Sequence, residues 1–158
     1  MSDVTFKVSG QSESPARLAV QVRGFELIVD EPPGLGGDDE GPNPVEYILA
    51  GLAGCLNVMG HIIAKEMGFT IRSLTIDAAG PLNPGKLLGK QTDDRAGYKN
   101  IDVTLKVDAD VDQATLDQWL ATIETRCPVS DNLMNLTPVA VRAQSAVQSE
   151  HDTESPSP

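Results

Sequence analysis

Two cysteines, Cys55 and Cys127, are the residues of this sequence best suited to carry out chemistry. A cysteine thiolate is a nucleophile, and two thiols that meet can cycle between a dithiol and a disulfide. With a pKa near 8.5, however, only about 3% of a free thiol is ionised at neutral pH, so a reactive cysteine needs a positive group beside it. Arginine is the side chain best suited to that task. The alternative is that both cysteines only fill an apolar core, where free cysteine is common.

Cys55 falls inside a long predicted helix that runs from about residue 44 to 67. The usual signals mark the first and last turns of this helix: Asn43, Pro44 and Glu46 at the start and Gly68 at the end. Residues 47–64 carry no formal charge, with His61 counted as neutral, and approach the length of a membrane span. The glycines and polar residues within this stretch, and the acidic remainder of the chain, favour a fully buried central helix instead. His61 is then expected to be a hydrogen-bonded core histidine.

Cys127 ends a second predicted helix, which Asp112 begins and Pro128 stops. One face of this helix carries apolar residues at helical spacing: Leu116, Trp119, Leu120, Ile123 and Cys127. Each cysteine therefore lies on the apolar face of its own helix, which permits contact between them without establishing it. Arg126, beside Cys127, is expected to face solvent.

Alternating apolar residues predict strands before, between and after the helices. The expected strands contain Val4–Val8, Leu18–Val22, Phe25–Val29, Ile71–Ala78, Ile101–Val107 and Val139–Val141. The first three are expected to form an antiparallel meander with a turn at Arg23–Gly24. Residues 32–44 and 80–97 are predicted loops, and a short helical turn is expected around 130–135. Residues 1–143 then form one domain, followed by a disordered acidic tail, 144–158.

Composition limits the function classes. The net charge is −11, from 12 basic and 23 acidic residues, so nucleic acid and anionic membranes are poor partners. Two cysteines are too few for a secreted disulfide scaffold, and the start of the chain lacks the pattern of a signal peptide, which favours a cytoplasmic location. With two histidines and no Cys-x-x-Cys, no zinc template is present, and we expect neither a bound metal nor a bound cofactor.

Two segments carry a family resemblance: DEPPGLGGDDEGPNPVEYILAGLAGCL, residues 30–56, and CPVSDNL, residues 127–133. Both resemble the OsmC/Ohr family (osmotically inducible protein C and organic hydroperoxide resistance proteins), and the likeness extends over roughly residues 4–143. The resemblance implies an α+β fold with antiparallel sheets around the long buried helix, two intertwined subunits in a homodimer, and active sites at their interface.

The resemblance also implies a reaction. Cys55 would attack an organic hydroperoxide and become a sulfenic acid, Cys127 would condense with it to a disulfide, and an external lipoyl-type dithiol would restore the pair. Relatives pair an activating arginine with a glutamate ten residues before the first cysteine. Here that position is Val45, and Glu46 is nine residues before Cys55, half a turn out of phase and about 13.5 Å along an ideal helix.

The sequence therefore does not decide which residues would activate the thiol. Arg17 is the preferred candidate for the cation, with Arg23 as the alternative, and Glu46 either orients that arginine or only caps its helix. A chain without this Arg/Glu pair would instead be a non-catalytic dimer or a binder of small ligands with the same fold. A purely structural dimerisation module, with both cysteines as packing, is the third reading.

Overall fold

The computed structural model describes residues 2–145, which form an α+β structure. The strands are β1 (Ser9–Ser12), β2 (Leu18–Val22), β3 (Phe25–Val29), β4 (Ile71–Ala79) and β5 (Asp102–Ala109). The helices are α1 (Pro44–Glu66), α2 (Gln113–Arg126) and α3 (Pro128–Met134), with a short 3-10 helix at Pro33–Leu35. Strands β1–β3 form one antiparallel sheet, and β4 and β5 form a second. The predicted α+β class with antiparallel sheets and a long helix is confirmed. Residues 146–158, most of the predicted tail, lie outside the described part.

The N-terminal sheet is the expected meander, but its first strand lies later than the alternation predicted. Arg23, with φ of 56°, makes the turn between β2 and β3. The strand expected at Val4–Val8 is wrong, and β1 occupies Ser9–Ser12 instead. The reason is register, because Ser9 already pairs with Gln21 and β2 extends only one residue further, to Val22, so it cannot pair with a strand at Val4–Val8.

Helix α1 begins and ends as predicted. The Asn43 side chain accepts the Glu46 N–H, the Glu46 carboxylate accepts the Asn43 N–H, and Gly68 with φ of 82° follows the last turn. The helix is buried along one face, at Leu52, Leu56, Gly60, Ile63 and Ala64. The expectation of burial all round does not hold within the single chain, because one flank of the helix meets no other element among residues 2–145. His61 lies on that exposed flank, so it is not a core histidine of the single chain.

The core lies between α1, the β4–β5 sheet and α2. Along β5 every second side chain, from Val103 to Ala109, turns toward the helices, and the residues between them are exposed. Trp119 of α2 is 2% exposed, as expected for a core residue, and its Nε1–H donates to the Gly60 carbonyl oxygen at 2.8 Å. A Cβ on Gly60 would come within 3.0 Å of the indole, so glycine at this position allows the two helices to approach.

The buried Asp30 organises the loop between β3 and α1. Its carboxylate accepts the backbone N–H groups of Glu31, Asp38 and Glu40. A Cβ on Gly37 would lie 1.8 Å from the Glu31 carbonyl oxygen, so this glycine lets the loop fold back on itself. These hydrogen bonds hold the loop in place at the end of the N-terminal sheet.

The last predicted strand is absent. Residues 136–145 form no strand in the described structure, and Leu136, Val139 and Val141 are exposed. The alternation there is apolar enough for a strand, but no neighbouring edge in the single chain pairs with it. Among residues 2–145, α1 alone has the length and composition to cross a membrane, a test that the core helix of a soluble protein also passes.

Candidate functional site

The two cysteines meet although 72 residues separate them. Cys127 Sγ lies 2.9 Å from Cys55 Sγ, and both are free thiols. A disulfide bond is about 2.05 Å long, so a shift of less than about 1 Å would bring the sulfurs to bonding distance. Cys55 is half-buried on α1, whereas Cys127 is 1% exposed at the junction of α2 and α3. The structure therefore places the two thiols in direct contact.

The junction of α2 and α3 fixes Cys127. Its N–H donates to the Ile123 carbonyl and so closes α2, while its own carbonyl accepts the Asp131 N–H and opens α3. Its sulfur caps α3 by accepting the Ser130 N–H at 3.4 Å. Pro128 explains the break, because proline has no N–H to continue α2 and suits the first position of a new helix. Cys127 therefore lies one residue beyond α2, not on its face.

The two thiols differ in their ease of ionisation. Burial raises the pKa of Cys55, the hydrogen bond with Cys127 raises it further, and the Val129 N–H lowers it only in part. Burial also raises the pKa of Cys127, but hydrogen bonds from Cys55, from the Ser130 hydroxyl and N–H, and from the Val129 N–H outweigh burial and bring it below the ordinary value. The more easily ionised sulfur is Cys127.

The other predicted site residues are engaged elsewhere within the chain. Arg17 forms ion pairs with Glu13 and Glu40 beside the N-terminal sheet. It is not among the groups that shift the pKa of Cys55, and none of those groups is cationic. The structure thus brings Cys55 and Cys127 together, but it does not bring Arg17 to them.

Glu46 and the remaining basic candidates are likewise accounted for. Glu46 is held in the capping box at the start of α1, away from Cys55. Arg23 stacks on the Phe25 ring, with its guanidinium carbon 5.2 Å from the ring centroid. Arg126 forms a two-pronged, partly exposed ion pair with Glu66, as expected for a solvent-facing residue.

Two site residues were not anticipated from the sequence, namely Val129 and Ser130. Their N–H groups point at the sulfurs because Cys127 starts a helix as well as ending one. The signal was present in the order Cys-Pro-Val-Ser, in which proline follows a capping residue. As a helix-stop signal alone, Pro128 predicts the end of α2 and not the start of α3.

A cavity of about 760 Å³ lies near the cysteine pair, although neither cysteine is among the residues that line it. Its walls are apolar side chains of α1, β5 and α2, among them Ile48, Leu52, Leu105 and Leu116. Arg95 and Lys99 of the loop before β5 line it as well, and Ser130 connects it to the cysteine pair. Tyr98 holds this loop against the start of α1 by donating to the Val45 carbonyl at 2.9 Å. Over residues 2–145, no cluster of three or more His, Cys, Asp or Glu side chains could hold a metal ion.

Comparisons with known proteins give the chain its relatives. The fold is similar to an OsmC-like protein from Mycoplasma pneumoniae, with a TM-score of 0.73 and 18% identity over 85% of this chain and 91% of that chain. An organic hydroperoxide resistance protein OsmC from Legionella pneumophila has a TM-score of 0.59 and 17% identity, over 83% and 90% of the two chains. For the organic hydroperoxide resistance protein OhrB of Bacillus subtilis these values are 0.54 and 23%, over 81% and 89%.

At these identities the structural likeness shows the fold alone. No curated protein matches the sequence significantly. The family assignment comes from the sequence itself. The sequence model of the OsmC-like protein family matches residues 37–142, a span that includes both cysteines. The chain belongs to the OsmC-like protein family.

Proposed function

We propose that this protein reduces organic hydroperoxides with its cysteine pair, in defence against oxidative stress. The observation that carries the proposal is the 2.9 Å separation of two free sulfurs held by different helices. The substrate class is supported by the fold, which is shared with proteins from Legionella pneumophila and Bacillus subtilis named for organic hydroperoxide resistance.

The difference in exposure supports an order for the two sulfurs. Cys55 is half-buried, whereas Cys127 is 1% exposed, which favours Cys55 as the cysteine that meets the peroxide. The Cys55 sulfur attacks one peroxide oxygen, the O–O bond breaks, and an alcohol and a Cys55 sulfenic acid form. The Cys127 sulfur then attacks the Cys55 sulfur, releases water and leaves a disulfide. An external dithiol of the lipoyl type returns both cysteines to thiols by exchange.

The proposed assembly is a homodimer in the cytoplasm. Apolar side chains of the N-terminal sheet are exposed in the single chain, including Leu18, Phe25 and Leu27. An apolar face of this kind marks an interaction surface in a soluble protein. The open flank of α1 and the cavity beside the dithiol are surfaces of matching character, and a second chain would cover them. The acidic net charge of −11 disfavours nucleic acid and membrane partners.

A thiol count tests the proposed function. We expect stoichiometric cumene hydroperoxide to remove two free thiols per wild-type chain within the time of mixing and to form one Cys55–Cys127 disulfide, identified by peptide mass spectrometry. Cys55→Ser should abolish the rapid loss, and Cys127→Ser should leave a sulfenic acid at Cys55 that dimedone traps. Slow loss without preference for Cys55 would exclude the peroxidase.

A second experiment tests the arginine. Because Arg17 is held by Glu13 and Glu40 in its own chain, it would act on a cysteine only across the interface of the proposed dimer. Arg17→Ala should slow the peroxide reaction and leave the fold intact, and Arg23→Ala on the same sheet tests the alternative cation. A slower reaction in Arg23→Ala alone would move the role to Arg23, and the wild-type rate in both variants would leave the two sulfurs to act without a cation from the N-terminal sheet.

The cavity supports a second candidate function, the binding of a small apolar ligand without catalysis. Its volume of about 760 Å³ lies in the range of ligand pockets, and Arg95 and Lys99 would face an anionic end of such a ligand. This reading predicts that a fluorescent fatty acid binds equally well to wild type and to Cys55→Ser while peroxide leaves both thiols intact. Rapid disulfide formation contradicts it.

A further inference from the structure

The loop between β4 and β5 carries positive charge in an acidic chain. Residues 80–100 contain four of the 12 basic residues but only two of the 23 acidic ones, while the net charge of the whole chain is −11. At physiological ionic strength charges are screened over about 8 Å, so a molecule close to this loop responds to the charge of the loop more than to that of the chain. The loop therefore attracts an anionic partner that the chain as a whole repels.

Most of this positive charge has no acidic partner within the chain. Lys99 binds the Asp94 carboxylate at 2.9 Å, and Lys86 lies near the same carboxylate without bonding to it. Lys86, Lys90 and Arg95 are exposed and form no ion pair with another residue of the described range 2–145. These three cations are available to an anion from outside.

Two leucines lie between the lysines on a hydrogen-bonded turn, residues 84–90, which we call the leucine turn. Leu87 is 69% and Leu88 51% exposed. Lys86 and Lys90 flank them in the sequence, and the Lys90 N–H closes the turn by donating to the Gly85 carbonyl at 2.8 Å. An apolar centre within a polar rim is the usual composition of a protein–protein interface. The leucine turn presents such a surface on a small scale.

The second part of the loop reaches the cavity near the cysteine pair. Arg95 and Lys99 line this cavity, whereas the leucine turn contributes only Lys86 and its neighbours to the outer surface. The cavity is also lined by Ser130, whose N–H donates to Cys127 Sγ at 3.4 Å. A partner that docks on the leucine turn therefore lies beside a cavity that Ser130 links to the cysteine pair.

The charge of the chain favours a protein over a membrane as this partner. Exposed leucines between lysines also occur on surfaces that bind anionic lipid. A bilayer, however, presents a broad anionic plane to a whole face of the molecule, which the net charge of −11 disfavours. An acidic protein contacts a limited area, about 800 Å² on each partner, and so meets the loop without facing most of the acidic remainder.

We propose that the leucine turn and the cations of residues 80–100 form the docking surface for an acidic protein that carries the reducing dithiol. This inference rests on the proposed function, in which an external dithiol restores the cysteine pair. One carrier thiolate attacks a sulfur of the Cys55–Cys127 disulfide, forms a mixed disulfide and releases the other cysteine. The second carrier thiol displaces the remaining cysteine, so the carrier becomes a disulfide and its two protons pass to the cysteines.

Reduction by two different dithiols tests the docking surface. The protein is first oxidised to the disulfide with diamide, and the return of free thiols is followed after mixing with either reductant. One is a reduced, lipoyl-bearing carrier domain of negative net charge, and the other is dihydrolipoamide, which is small and uncharged. Lys86→Ala/Lys90→Ala should slow the reaction with the carrier domain by about 10-fold, because electrostatic attraction raises association rates by this order or more. The rate with dihydrolipoamide should stay at the wild-type value.

Lys7→Ala/Lys106→Ala is the matched control, because it also removes two exposed positive charges but lies outside the loop. It should keep the wild-type rate with both reductants. Leu87→Ser/Leu88→Ser should slow the reaction with the carrier domain alone, and the unchanged rate with dihydrolipoamide shows that this variant is folded. An equal loss in the two lysine variants, or the wild-type rate with the carrier domain in both, overturns the proposal.

Two other occupants of the leucine turn would be recognised by their own signatures. A smaller assembly of Leu87→Ser/Leu88→Ser than of wild type on size-exclusion chromatography would place a second copy of this chain on the turn. Binding of the wild type to phosphatidylglycerol vesicles, lost in the same variant, would place a membrane there. Either result overturns the docking of an acidic carrier.

The docking surface and the peroxidase fail separately, because diamide forms the disulfide without peroxide. If cumene hydroperoxide consumes no thiol but the rate with the carrier domain depends on Lys86 and Lys90, the peroxidase fails and the docking surface stands. If the peroxide forms the disulfide but the carrier domain reduces every variant at the same rate, the docking surface fails and the peroxidase stands.

Discussion

The helical half of the chain and its N-terminal sheet differ in how completely their apolar side chains are buried. In the helical half, α1, α2 and the β4–β5 sheet enclose a core in which Trp119, Ile123 and Cys127 are at most 2% exposed. In the N-terminal sheet, Phe25 is 60% and Leu27 39% exposed. The dithiol is therefore assembled by one half of the chain alone, while the sheet that carries Arg17 has its apolar surface uncovered.

Hydrogen bonds connect the N-terminal sheet to α1 and to the loop before it. Tyr47 of α1 donates its hydroxyl to the Ile28 carbonyl of β3 at 2.7 Å, and the Asp30 N–H donates to the Pro42 carbonyl at 3.4 Å. Such a connection holds the sheet beside the start of α1 without packing it on the core. We therefore expect substitutions in the helical half to affect stability most and those in the sheet and its loop to act locally.

The largest expected effect is at Trp119. Trp119→Ala should lower the free energy of unfolding by about 3–5 kcal/mol, because a large buried side chain is lost and a cavity remains. Urea unfolding followed by circular dichroism measures this. Trp119→Phe, which keeps an aromatic ring but leaves the Gly60 carbonyl without its donor, should lose less. Equal losses would mean that the hydrogen bond, and not the packing, joins the two helices.

Gly60 should follow. Gly60→Ala places a Cβ 3.0 Å from the Trp119 ring, so the helices must separate, and we expect a loss of about 1–3 kcal/mol. Gly54→Ala on the open flank of the same helix is the matched control. No atom lies within 4 Å of its new Cβ, and alanine is favoured in a helix by about 1 kcal/mol, so it should not destabilise. If both Gly60→Ala and Gly54→Ala destabilise the protein, the close approach of Gly60 to Trp119 is not the cause of the loss.

The cap of α1 should have a smaller effect. Asn43→Ala removes the acceptor of the Glu46 N–H and should lower the free energy of unfolding by about 1 kcal/mol. Glu46→Gln keeps an oxygen that accepts the Asn43 N–H and removes only the charge, so stability and the peroxide rate should both stay at wild-type values. A slower peroxide reaction in Glu46→Gln, at unchanged stability, would show that this carboxylate orients an arginine.

The smallest and most local effect is expected at Asp30. Hydrogen bonds from the Glu40, Asp38 and Glu31 N–H groups, with help from the Arg17 charge, outweigh burial and lower the pKa of Asp30. A carboxylate whose folded pKa is lowered stabilises the fold above its unfolded pKa, and this contribution is lost as pH falls through the folded value.

Asp30→Asn should therefore reduce the hydrogen-exchange protection of the Asp38 and Glu40 amides at pH 7 and leave the amides of α2 unchanged. The difference from wild type should disappear at pH values below the folded pKa of Asp30. Loss of protection in α2 as well would contradict the difference between the two halves, because it would show that the loop and the helical core unfold together.

Local signals predicted the helical half well. Asn43, Pro44 and Gly68 placed the ends of α1, and Asp112 placed the start of α2, because capping depends on residues within one turn of the helix. The core role of Trp119 followed from its spacing along α2. The contact between Cys55 and Cys127 could not be predicted from the sequence. Their positions on two apolar helix faces are compatible with a contact, but they do not determine which residues of the two faces meet.

The errors arose where pairing or a second role decides the outcome. Val4–Val8 alternates well but has no strand beside it, because the register of β1 on β2 ends first. His61 was assigned to a core that does not extend around α1 in one chain. The stop signal of Pro128 does not predict Ser130 in the site, because Pro128 also starts α3 with Cys127 as its cap.

Trp119 is the one tryptophan of the chain. Its indole is bonded to Gly60 on α1, two turns upstream of the junction that fixes Cys127. The proposed disulfide would bring the two sulfurs closer by about 1 Å. We expect the end of α2 to pass part of that shift to the indole, so the fluorescence of this tryptophan in the reduced and the oxidised protein would report the redox state without any label.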